Sequence, residues 1–109
     1  MVLWGGVIAV YVGAAVAAPV WADQELALTI RGHRFEPAEV RAKAGSPVLL
    51  KVTNSDATPE EFESTALNRE KLVRGGGTVT IRLPALKPGV YEFFGEFNPQ
   101  TATGRLVIE

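Results

Sequence analysis

Gly89-Val90-Tyr91-Glu92-Phe93-Phe94-Gly95-Glu96-Phe97-Asn98-Pro99, closing with Gly104-Arg105-Leu106-Val107-Ile108, decides the fold of this 109-residue chain. Lys87-Pro88-Gly89 suits a type II turn, because proline fixes one central residue and glycine tolerates the positive φ of the next. Tyr91 and Phe93 are then spaced by two about Glu92, Asn98-Pro99 interrupts, and Leu106 and Ile108 resume the spacing. Side chains that repeat every second residue belong to a strand with one buried face. The stretch reads as the last hairpin of a small β-sandwich.

The same period runs upstream. Leu26, Leu28 and Ile30 alternate with Ala27, Thr29 and Arg31; Val40, Ala42 and Ala44 alternate with Glu39, Arg41 and Lys43; Val79, Ile81 and Leu83 alternate with Thr78, Thr80 and Arg82. Such a pattern argues for half-buried strands, not helices. Val48-Leu49-Leu50-Lys51-Val52 is denser and reads as a strand covered on both faces. A single turn is expected around Ser64 to Arg69, and no amphipathic helix after Ala22. Gly45-Ser46-Pro47, Asn54-Ser55-Asp56 and Gly75-Gly76-Gly77 supply turns at short intervals. Short strands spaced in this way predict an all-β sandwich with Greek-key connections and about seven strands. The glycine run is not a phosphate loop, since no Gly-Lys-Ser/Thr follows it.

Residues 1–22 carry no charged side chain and run apolar, and residues 23–109 hold all eleven basic and twelve acidic groups. The first segment is expected to be a signal peptide cut after Ala22, with a retained membrane anchor as the alternative. The remainder is one domain, exported to the periplasm. Its balanced charge excludes a nucleic-acid binder, which needs a basic stripe. The absence of cysteine excludes disulfides, thiolate metal sites and a cysteine nucleophile. Ser46, Ser55 and Ser64 have no histidine base nearby and no nucleophile elbow surrounds them, so an enzyme is not expected.

Five motifs occur in order: Phe35-Glu36-Pro37-Ala38-Glu39-Val40, Ala44-Gly45-Ser46-Pro47-Val48, Val52-Thr53-Asn54-Ser55-Asp56, Thr58-Pro59-Glu60-Glu61-Phe62-Glu63-Ser64 and Leu86-Lys87-Pro88-Gly89-Val90-Tyr91-Glu92-Phe93. Together they resemble the cupredoxin-like family over Glu25 to Glu109. In blue-copper members the first histidine ligand falls at the position of Glu60, the cysteine at Gly95, the second histidine at Asn98 and the methionine near Ala102. All four positions differ here. Glu61-Phe62-Glu63-Ser64, Arg69-Glu70-Lys71 and Phe93 to Pro99 resemble, more narrowly, the EfeO-type and small periplasmic cupredoxin-like proteins of bacterial ferrous-iron uptake. Those relatives place an acid at the Gly95 position and a histidine at the Asn98 position, and this chain departs from them at both.

Type 1 copper needs a thiolate, two imidazoles and a weak thioether. Residues 23–109 contain neither cysteine nor methionine, and their one histidine is His33. Carboxylates are hard donors that suit iron or another divalent metal. The expected metal ligands are therefore Glu61, Glu63, Glu70, Glu96 and the amide oxygen of Asn98, with Glu60 and His33 as secondary candidates. The opposing expectation makes these acids a solvated rim paired with Arg69, Lys71 and Arg74. Tyr91 and Phe93 are expected in the core, while Phe94 and Phe97 fall outside a single alternation and are open to a docking patch. The resemblance implies an accessory role in iron uptake, with a periplasmic iron-binding protein or an iron permease as partner. A metal-free interaction module is the alternative.

Overall fold

The computed structural model describes residues 23–109; the expected leader or anchor lies outside the described residues. Nine strands follow one another: β1 (Gln24–Arg31), β2 (Arg34–Glu36), β3 (Glu39–Ala42), β4 (Val48–Asn54), β5 (Glu60–Ser64), β6 (Arg69–Val73), β7 (Thr78–Leu83), β8 (Gly89–Gly95) and β9 (Thr103–Ile108). They form a four-stranded sheet ordered β2-β1-β4-β7 and a five-stranded sheet ordered β3-β9-β8-β5-β6. Both sheets are mixed. β1 runs parallel to β4 from Gln24↔Val48 to Ile30↔Asn54, and β3 runs parallel to β9 from Glu39↔Arg105 to Ala42↔Ile108. The other pairs are antiparallel. No helix among the described residues is long and apolar enough to cross a membrane.

Two strands exceed the seven expected. β2 is three residues long, too short for a visible alternation, and β6 reads Arg-Glu-Lys-Leu-Val. β6 lies at the edge of its sheet. Charged edge strands are a common defence against pairing with other chains, and the same charge hides them from a hydrophobicity scan. The expectation for β4 is corrected: Val48, Leu50, Val52 and Asn54 are buried, while Leu49 is half-buried and Lys51 exposed, so only one face is fully covered. From its fixed φ, Pro37 is the residue expected to turn the chain between the first two strands, and it does not. That turn is Gly32-His33, with φ of 59° and 58°, and Pro37 lies where the chain passes from one sheet to the other. Positive φ at both central residues gives the twist that a two-residue hairpin loop requires.

The inward faces of the sheets meet in one core. Leu28, Ile30, Val48, Leu50, Val52 and Ile81 come from the first sheet, and Val40, Phe62, Val73, Phe93, Leu106 and Ile108 from the second. Phe35, Phe62 and Phe93 cluster at its centre, with ring centroids 5.0 to 6.1 Å apart. Edge-to-face and offset contacts of this kind add about 1 kcal/mol to simple area burial. Phe93 also explains Gly104, because a Cβ there would stand 2.5 Å from its ring. Tyr91 is half-buried against the core and its hydroxyl donates to the Lys87 carbonyl at 2.7 Å, while Phe97 is half exposed. Ser64, fully buried, donates to the Glu92 carbonyl at 2.6 Å and accepts from the Leu67 amide at 3.1 Å. That pair of bonds shapes the Thr65–Asn68 turn that leads from β5 to β6 and fixes β5 against β8.

Candidate metal centre

The sequence Glu60-Glu61-Phe62-Glu63-Ser64 alternates between two faces of the second sheet. Glu60, Phe62 and Ser64 turn into the core; Glu61 and Glu63 turn outward. On the outer face Glu63 stands opposite Glu70 of β6, and opposite Phe94 of β8 on its other side. Just past the end of β8 the Glu96 amide donates to the Glu61 carbonyl at 2.9 Å, which brings a fourth acid alongside. Glu61, Glu63, Glu70 and Glu96 can each offer an oxygen such that all four lie within 4.8 Å of one another.

These acids have no basic partner among the described residues. The ion pairs among the described residues join Arg31 to Glu36, His33 to Asp56, Arg41 to Glu39 and Glu109, and Arg105 to Glu39. The paired rim expected from Arg69, Lys71 and Arg74 is therefore corrected. The Arg69 guanidinium donates to the carbonyls of Leu67, Asn68 and Arg82, tying β6 to the neighbouring sheet. Glu61 Oε1 is buried and no N–H or hydroxyl group donates to it, so only a carboxyl proton shared with its acidic neighbours can satisfy it. Hydrogen bonding to Glu70 and then Glu96, with desolvation and the repulsion of both, pushes the Glu61 carboxyl up to about 8. Glu61 thus holds a proton at neutral pH.

On the inner face Glu60 is 1% exposed. Its Oε1 accepts from the amides of Phe97 at 2.9 Å and Glu61 at 3.0 Å; its Oε2 accepts from Asn98 Nδ2 at 2.7 Å. Asn98 in turn organises the β8–β9 loop, its carbonyl accepting from the amides of Thr101 and Ala102. Gly95 leaves room for this arrangement, since a Cβ there would meet Glu60 Cδ at 2.5 Å, Glu60 Oε2 at 2.7 Å and Ala102 Cβ at 2.8 Å. The four positions that hold blue copper in the resembling family thus converge, but they are filled by a carboxylate, an amide and two small residues. There is no cysteine in the chain and no space for its side chain at Gly95. These residues do not fit a type 1 copper ion.

The expected ligands consequently fall into three places. Glu61, Glu63, Glu70 and Glu96 gather on the outer face. Glu60 and Asn98 bind each other inside. His33 sits in the first turn, where Asp56 accepts the amides of Gly32 and His33 at 2.8 and 2.9 Å and the imidazole lies 3.6 Å from the same carboxylate. The His33 and Gly32 amides hold the Asp56 carboxyl below its ordinary value. Glu60, a secondary metal candidate by residue type, is an internal acceptor, and its spacing of two from Phe62 and four from Ser64 is the sequence signal that places it with the core.

The sequence profile of the family described as a cupredoxin-like domain matches residues 5–108. An uncharacterized protein of Rickettsia prowazekii (strain Madrid E) is 42% identical over 84 residues, which is 77% of this chain and 67% of that protein. Among solved structures, auracyanin A, a blue copper protein from Chloroflexus aurantiacus, matches 81% of this chain and 100% of its own with a TM-score of 0.70 and 16% identity. The metal-binding domain of the Cu(I)-exporting P-type ATPase CopA of Streptococcus pneumoniae D39 matches 80% of this chain and 86% of its own, with a TM-score of 0.68 and 13% identity. Amicyanin from Paracoccus versutus matches 88% and 89%, with a TM-score of 0.63 and 16% identity. By profile and by fold this chain belongs to the cupredoxin-like family, without the residues of a type 1 copper site.

Proposed function

We propose that this chain is an exported accessory protein of metal uptake that takes a hard divalent cation on Glu61, Glu63, Glu70 and Glu96. The observation that carries the reading is the convergence of four carboxylates within 4.8 Å with no basic partner among the described residues. Like charges so placed repel unless a proton or a cation lies between them. Oxygen donors select hard ions over Cu(I). Iron as the cargo, and an iron-binding protein or permease as the recipient, rest on the resemblance to EfeO-type proteins. Export rests on the uncharged apolar segment of residues 1–22. A carrier needs no catalytic cleft, and the four acids lie on an open sheet face.

Calorimetric titration with Fe(II) under anaerobic conditions, Mn(II) and Cu(II) tests the reading. One site is expected for Fe(II) or Mn(II), with a proton released at pH 7 as the cation displaces it from Glu61. The double substitution Glu61→Gln with Glu63→Gln should abolish that site. No heat from any of the three ions would end the cation reading. A metal-free docking module is the second reading. It is favoured by the exposure of Leu72 (54%) and Phe97 (50%), one paired across from Glu61 and the other next to Glu96. It predicts partner capture that survives a chelator.

A further inference from the structure

We propose that Glu60 does internally what a metal ion does in the copper members of this fold: it ties the β8–β9 loop to β5, and thereby positions Glu96 for the outer cluster. The tie joins segments far apart in the chain. Glu60 accepts from Phe97 and Asn98 across 37 and 38 residues. Regular pairing between β5 and β8 covers Phe62↔Gly95 and Glu63↔Phe94. Beyond it, the Glu96 amide still reaches the Glu61 carbonyl, and the Glu60 carboxylate then takes the next amide, that of Phe97. The side chain thus continues the ladder where the backbone stops. Its second oxygen holds Asn98, whose own amide donates to the Gly95 carbonyl and whose carbonyl receives Thr101 and Ala102. Both arms of the loop converge on one buried carboxylate. Hydrogen bonds to a charged acceptor are about twice as strong as neutral ones.

Glu96 lies between the two fastened points, Gly95 and Phe97, so its backbone has little freedom to leave the cluster. Glu60 itself faces the other side of the strand and offers the cluster no oxygen. It is therefore a positioning residue, not a ligand. The step from Glu60 to the loop stands on hydrogen bonds alone; the step from the loop to the cation rests on the proposed function.

The test measures the full chain twice, by amide hydrogen exchange and by Mn(II) calorimetry. In Glu60→Ala, exchange at the Phe97 amide should accelerate by about a hundredfold, the range of a local opening, while Leu50 in the core of β4 stays protected. Mn(II) affinity should fall by about tenfold with all four outer acids intact, the usual cost of losing an outer-shell partner. Glu60→Gln keeps the length of the side chain and lets the Asn98 amide turn to match it, so both values should return most of the way. Unchanged exchange at Phe97 in Glu60→Ala overturns the tie, and so does equal acceleration at Phe97 and Leu50. If Glu60→Ala does not fold, Asn98→Ala removes one arm only. Its Phe97 and Thr101 amides should exchange about tenfold faster, and no change there overturns the tie. Faster exchange with undiminished Mn(II) affinity overturns the positioning of Glu96. Wild-type protein that binds no Mn(II), Fe(II) or Cu(II) overturns the cation reading, together with the positioning role, and leaves the exchange result to decide the tie.

Discussion

Glu60 and Glu61 are adjacent on one strand, and the pleat sends them to opposite faces of the sheet. The inner acid is wrapped by three donors. The outer acid has no donor and two acidic neighbours, Glu70 and Glu96, close enough to raise its pKa to about 8. Burial alone does not separate them, because Glu61 Oε1 is also shut away from solvent. Partners do. A carboxylate given N–H groups is complete and closes its site, whereas one given other carboxylates is incomplete and waits for a proton or a cation. A strand of five residues, two of them adjacent acids, can thus close the position that holds copper in blue-copper relatives and gather unpaired acids on its other side.

The largest effect should come from removing the complete acid. Glu60→Ala leaves three part-buried donors without their acceptor, each unsatisfied donor costing about 1 to 3 kcal/mol. With partial relaxation of the loop, a loss of roughly 3 kcal/mol is expected in urea melts read at 25 °C. A loss no larger than that of an exposed Glu36→Ala control would mean that solvent reaches these donors and that the inner site is not closed.

Much of this sandwich was legible because strand alternation is a local signal. Leu26 to Ile30, Val79 to Leu83 and Leu106 to Ile108 each carry it within their own sequence. The outer cluster was legible in part for the same reason, since Glu61 and Glu63 are two residues apart. Glu70 and Glu96 join them only through the register of β5 with β6 and the course of the chain beyond β8. Those depend on the Ser64-bonded turn and on the Glu60 tie, both long-range arrangements. Glu60 was placed among the ligands because it shares their chemistry; its alternation with Phe62 and Ser64 assigned it elsewhere. A one-residue change of position on a strand reverses the face, and residue type gives no warning of that.

A smaller effect, of the opposite chemistry, is expected from filling the space beside the inner acid. Gly95→Ala would place a methyl 2.5 Å from Glu60 Cδ and 2.8 Å from Ala102 Cβ. Overpacking of this kind costs about 1 to 3 kcal/mol. Combining it with Glu60→Ala should give less than the sum of the single losses, because the two contacts with the carboxylate disappear and only the one with Ala102 Cβ stays. Strictly additive losses would show that Gly95 and Glu60 do not share one space. The residue that would restore a sulfur ligand is thus excluded by the residue that replaced a histidine, so Gly95→Cys alone should destabilise the fold without yielding a blue copper centre.

The last effect is the one that separates the two faces by pH. The Glu61 carboxyl rises from an ordinary 4.5 to about 8 on folding, so between these values the folded chain binds more protons than the unfolded one. Its contribution to stability is fully present below about pH 4.5 and is lost as pH rises through about 8. Asp56 acts with the opposite sign: its lowered pKa contributes stability above its unfolded value near 3.8 that is lost as pH falls. Glu61→Gln isolates the first term. The variant should match the wild type near pH 4 and become relatively more stable from pH 5 to 8. Saturating Mn(II), if it binds as proposed, should raise wild-type stability in the same window, because a cation that binds only the folded state favours that state by mass action. It should have little effect on the variant. Wild-type and variant curves that run parallel from pH 4 to 8 would show that the outer carboxylates are solvated separately, and the contrast between the two faces of β5 would then reduce to burial.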